Sequence, residues 1–140
     1  DVTVQAQILK LMNNLRTDHG TSVLFITHDF GVVSEICDRV AVMYAGRIVE
    51  MGTTEQVLGN PAHPYTKRLI DCVPRLGEPD RRTAAIPGLP PAVNNLPAGC
   101  AFADRCERAE DKCRVGEISF DDLGDGHGVR CIKPMEAANV

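Results

Sequence analysis

The chain has 140 residues, 44% of them hydrophobic, with 15 basic and 19 acidic side chains and a formal charge of -4. That length supports one ordinary core, or a smaller core with an appendage, and not two full domains. The charge deficit is even, 6 basic to 8 acidic in residues 1–74 and 9 to 11 in residues 75–140, and Trp is absent, so there is neither a basic footprint nor a stacking platform for nucleic acid.

In chain order, Ile8, Leu9, Leu11, Met12 and Leu15 recur at helical spacing from Gln5 to Leu15, with Gly20 placed to end the helix. "SVLFIT", Ser22 to Thr27, is a short apolar run of branched and aromatic residues, as expected of a strand buried on both faces of a parallel sheet. "FGVVSEIC" reads as a short helix capped by Asp29. "RVAVMY" and "RIVEMG", joined by Ala45 and Gly46, read as a hairpin. Thr53 or Thr54 can cap a helix through Leu58, and Pro64 opens another toward Cys72. Helix, strand, helix, hairpin and helices make the tail of an α/β domain over residues 1–74. A proline-rich tether follows over 75–99, since "IPGLPPAVNNLPAG" continues neither a helix nor a sheet. Residues 100–140 form a cysteine-rich module that runs out into a polar tail after residue 134.

Four of the six cysteines fall in that module: Cys100, Cys106, Cys113 and Cys131, with gaps of five, six and seventeen residues. A segment this short needs disulfides, a metal or a partner to fold. No apolar run reaches the roughly eighteen residues of a membrane span, and the N-terminus has no signal-peptide pattern, so the expected compartment is the reducing cytosol. There, clustered thiols favour a metal over disulfides or inert packing. Four thiolates suit Zn²⁺ or an iron–sulfur cluster, but these gaps match neither template, so spacing leaves the metal open. Arg105, Arg114 and Arg130, each beside a cysteine, are expected to favour the thiolates. Cys37 and Cys72 read as core residues, and His127 as a loop residue with a lesser claim to be a ligand.

His28 follows the expected strand in "LFITHD", where open α/β sheets bind ligands, although strand ends are often polar for structural reasons alone. His19 and His63 read as helix-end residues. The phosphate-binding pattern GxxxxGK[ST] is absent, and no Ser/His/Asp arrangement has a convincing context.

Several stretches resemble the ATP-binding subunits of bacterial oligopeptide and dipeptide ABC importers. "DVTVQAQIL" is similar to the end of that family's D-loop, "VLFITHD" to its H-loop strand, and "YAGRIVEMG" to the hairpin beyond, all features shared across ABC ATPases. More specific are "NPAHPYTKRLI", "IPGLPP" and "LPAGCAFADRCERAEDKC" with Cys131 beyond, which resemble the peptide-importer extension. The resemblance implies the C-terminal part of a P-loop ABC ATPase domain followed by a small loop-rich metal-binding module. It further implies that His28 contacts the γ-phosphate and attacking water of ATP, that Asp1 couples two ATP sites, and that Cys100, Cys106, Cys113 and Cys131 hold a [4Fe-4S] cluster, with zinc second. The implied partners are a second ATPase subunit and transmembrane permease subunits, at the cytoplasmic face of the inner membrane, with peptide met only indirectly.

The family's phosphate-binding lysine, signature motif, Mg²⁺ aspartate and catalytic glutamate belong upstream of Asp1. The chain therefore reads as a C-terminal fragment of a peptide-transporting ATPase, expected on its own neither to bind ATP usefully nor to hydrolyse it. The alternative is a self-contained zinc or iron–sulfur module for interaction or redox sensing, with residues 1–74 as scaffold.

Overall fold

A computed structural model describes residues 2–73, 85–92 and 94–136, with side chains from residue 6 onward. The fold divides into two compact units, Asp1–Asp38 and Arg39–Val140.

In the first unit, α1 (Val2–His19) runs to Gly20, whose φ of +62° is the left-handed turn that ends many helices. Of its apolar stripe only Leu9 is buried, while Ile8, Leu11 and Leu15 are exposed. α2 (Phe30–Ile36) begins as its sequence dictates: Asp29 Oδ1 accepts from the amides of Gly31 at 2.8 Å and Val32 at 3.3 Å, satisfying donors that a first turn leaves open. Arg16 Nη1 donates to Asp38 Oδ2 at 2.7 Å and to the Ile36 carbonyl at 3.2 Å, so α1 holds the end of α2. The strand expected over Ser22–Thr27 is not formed, and Leu24 and Ile26 are each 90% exposed. A strand needs a neighbour for its amides, and every strand of the sheet lies in residues 39–140 and pairs elsewhere.

The second unit is built on a four-stranded sheet in the order β1-β2-β4-β3, antiparallel at every pairing. β1 (Arg39–Tyr44) and β2 (Arg47–Thr53) form the expected hairpin. Ala45 and Gly46, at φ +47° and +78°, give the two left-handed residues that match a two-residue turn to strand twist. β2 also pairs with β4 (Gly128–Val129), which pairs with β3 (Asp121–Asp122). The cysteine-bearing segment thus shares a sheet with the hairpin.

Two helices follow β2. α3 (Thr54–Gly59) starts in a capping box between Thr53 and Gln56. α4 (Pro64–Asp71) starts with His63 as its cap and Pro64 in the first turn. The core joins Val42, Tyr44, Val49 and Val57 to Phe102 from the cysteine segment. Tyr44, Tyr65 and Phe102 stack with ring centroids 4.5 to 5.3 Å apart. Part of the tether is docked, since Arg105 donates from Nε to the Pro87 carbonyl at 2.8 Å and from Nη2 to that of Ile86 at 3.1 Å. Among the described residues no helix is long and apolar enough to cross a membrane.

Candidate metal centre

Cys100, Cys106, Cys113 and Cys131 line one cavity, and none of the four is in a disulfide. Two short 3-10 turns, Ala103–Arg105 and Asp111–Arg114, set three of them: Cys106 ends the first turn, Cys113 lies in the second, and Cys100 precedes the first. The Cys100 amide donates to the Cys113 carbonyl at 2.7 Å, which fixes these two loops against each other. Gly99 makes that crossing possible, because a Cβ there would lie 2.3 Å from the Cys113 carbonyl oxygen. Cys131 follows β4 by two residues, and Arg130 between them donates its amide to the Val49 carbonyl at 2.8 Å.

The sulfurs are supplied with backbone donors. The Phe102 amide donates to Cys100, that of Lys133 to Cys131, and that of Glu110 to Cys113 Sγ at 3.4 Å, while the Ala103 amide is taken by the Cys100 carbonyl at 3.0 Å. Burial outweighs those bonds at two thiols: it raises Cys100 above the ordinary thiol range and pushes Cys131 up to about 11. The neighbouring arginines do not offset burial there, against the expectation from sequence. Arg130 donates to the carbonyls of Ile48 and Ile118 and lies over the Phe120 ring. Arg105 is spent on Ile86, Pro87 and Tyr44 Oη, and Arg114 pairs with Asp104.

His63 also lines this cavity. It is 1% exposed, and burial lowers its pKa from 6.5 to about 4, so the ring is neutral at physiological pH. Its Nδ1 accepts from the Tyr65 amide at 3.0 Å, which puts the proton on Nε2, and among the described residues Nε2 has no hydrogen-bond partner. Sequence spacing marked His63 only as a helix-end residue; its neighbours in space carry the further information.

Among the described residues, no group of three or more His, Cys, Asp or Glu side chains is arranged to hold a metal ion. His127 is not in the cavity wall. It is buried and donates from Nε2 to Glu50 Oε1 at 2.8 Å. Glu50, fully buried in β2, also accepts the amides of Ala62 at 2.7 Å and His63 at 2.9 Å, a position that the sequence did not single out. Cys37 and Cys72 are half-buried at helix ends, less enclosed than the core positions expected of them. His28 is exposed just before the Asp29 cap, and Asp1 lies outside the described residues.

The model of the oligopeptide/dipeptide transporter C-terminal region matches residues 49–113. The chain is 47% identical over 144 residues to a putative peptide import ATP-binding protein of Brucella ovis, covering 99% of this chain and 43% of that protein. An oligopeptide transport ATP-binding protein of Haemophilus influenzae is 50% identical over 115 residues, covering 82% of this chain and 36% of its own length. A Bacillus subtilis protein named in the same way is 48% identical over 132 residues, covering 94% and 40%. The chain spans less than half the length of these relatives. By these matches it belongs to the family of peptide ABC importer ATP-binding subunits, of which it represents the C-terminal portion.

Proposed function

We propose that this chain is the C-terminal part of the ATP-hydrolysing subunit that powers oligopeptide or dipeptide import across the bacterial inner membrane, and that Cys100, Cys106, Cys113 and Cys131 hold a [4Fe-4S] cluster within it. The observation that carries the cluster reading is the convergence of all four thiols on one cavity, three of whose sulfurs already receive backbone amides. An all-cysteine donor set suits iron–sulfur and zinc alike. Four ligands around one zinc would each lie about 2.3 Å from it, whereas a cubane spreads its ligands over the corners of a larger body. Bound there, it would tie separate loops together and supply a one-electron couple.

The rest of the reading concerns the intact subunit. His28 would hydrogen-bond the γ-phosphate and attacking water, where a neutral imidazole stabilises charge developing during phosphoryl transfer. Asp1 would couple the two ATP sites of a subunit pair. Permease subunits would carry the peptide, with this subunit peripheral on the cytoplasmic face. Without a phosphate-binding loop in its sequence, the chain alone would not turn over ATP. The alternative, a self-contained zinc or iron–sulfur module with residues 1–74 as scaffold, is the weaker reading, because the likeness to a peptide import ATP-binding protein extends over 99% of the chain.

Anaerobic reconstitution of the chain with iron and sulfide tests the cluster, with each of the four cysteines replaced in turn by serine. Wild type should gain the broad visible absorption of a cubane, and each of the four variants should lose most of it. Full colour in any one variant would remove that cysteine from the set.

A further inference from the structure

We propose that the Nε2–H of His63 donates a hydrogen bond to sulfur in the four-cysteine cavity, making His63 a positioning residue that tunes the group those cysteines hold. The inference rests on the iron–sulfur reading for the nature of that group and on geometry for the donor.

Three observations meet at this ring. Its Nδ1 lone pair is taken by the Tyr65 amide at 3.0 Å, so a neutral His63 carries its proton on Nε2. That Nε2 is buried and has no partner among the described residues. A buried donor left unmatched costs about 1–3 kcal/mol, so such groups are rare without a reason. His63 also lines the cavity shared by the four cysteines. Phe102, Ala103 and Ile118, on the same wall, have no side-chain acceptor, while Arg108 and Lys133 offer only donors. Among the side chains lining this cavity, sulfur is the acceptor class, and a bound cluster would add inorganic sulfide.

His63 would thus add a side-chain donor to the backbone amides already aimed at Cys100, Cys113 and Cys131. Hydrogen bonds to the sulfurs are a principal control of cluster potential, since each withdraws electron density and stabilises the reduced state. The ring is also locked by α4: as N-cap its Nδ1 is committed, and its backbone amide is bound to Glu50 Oε2 at 2.9 Å.

The test uses the full 140-residue chain, loaded anaerobically with iron and sulfide, as wild type and as His63→Asn. Asparagine can still cap α4 but is too short to present the same donor. The expected result is iron and sulfide content within twofold of wild type with a reduction potential shifted to more negative values. Equal potentials in two equally loaded proteins would overturn the proposal. The imidazole nitrogens of the metal-free chain give an independent readout by nitrogen-15 NMR: an Nε2-protonated, Nδ1-bare ring with a slowly exchanging Nε2 proton supports the donor, and an Nδ1-protonated ring overturns it. If wild type takes up neither iron nor sulfide, the cluster reading fails, and the NMR result alone decides whether His63 is the donor described.

Discussion

Glu50 shows how much of this fold depends on one side chain. Fully buried, it accepts the amides of Ala62 and His63 and the Nε2–H of His127, three donors on buried residues. Glu50→Ala strands all three, and with about 1–3 kcal/mol for each unmatched buried group, the urea midpoint should fall by the equivalent of at least about 3 kcal/mol. Glu50→Gln, which keeps one acceptor oxygen, should lose less. A Glu50→Ala protein within about 0.5 kcal/mol of wild type, the usual range of a neutral surface change, would contradict this. Nothing in "RIVEMG" announces the role, because a glutamate in a half-exposed hairpin strand reads as solvent-facing until β4 and the α4 entry are seen to cover it. The same blindness applied to the arginines: adjacency to cysteine in sequence suggested electrostatic help, yet Arg105 and Arg130 reach away to carbonyls.

Element by element, what was legible is what is local. Asp29, Thr53 and Pro64 mark helix starts because a cap acts over three or four residues, and each of those starts is found. The hairpin was legible from its alternating runs and its two-residue turn. Ser22–Thr27 misled because an apolar run specifies burial and not the strand that must lie beside it. β3 and β4 have two residues each, too few for any alternation to show. The start of α4 carries a pH dependence. In the unfolded chain His63 titrates near 6.5, and in the fold near 4, so between those values the unfolded state binds more protons. Stability contributed by the buried neutral ring is therefore complete above pH 6.5 and is lost as pH falls through 4, a span worth about 3 kcal/mol. Protonation also removes the Nδ1 lone pair that caps the helix. Denaturation of the metal-free chain at stepped pH should show this slope in wild type and lose it in His63→Asn; parallel curves for the two proteins would assign the slope to other groups.

At the scale of the molecule, residues 39–140 form one unit in which the hairpin, α4 and the cysteine segment share a core. Composition suggested a tether at 75–99, but Ile86 and Pro87 are held by Arg105, and Gly99 is pressed against the Cys113 carbonyl. The cysteine count was legible from sequence, and so was its need for a stabilising group; that gaps of five, six and seventeen residues close onto one cavity was not, since loop paths and not spacing decide it. The most direct test of the four-cysteine centre is the iron, sulfide and zinc content of the chain purified without oxygen. About four iron and four sulfide per chain is the expected result for a cubane held by four cysteines, and one zinc without sulfide, or no metal at all, would contradict it.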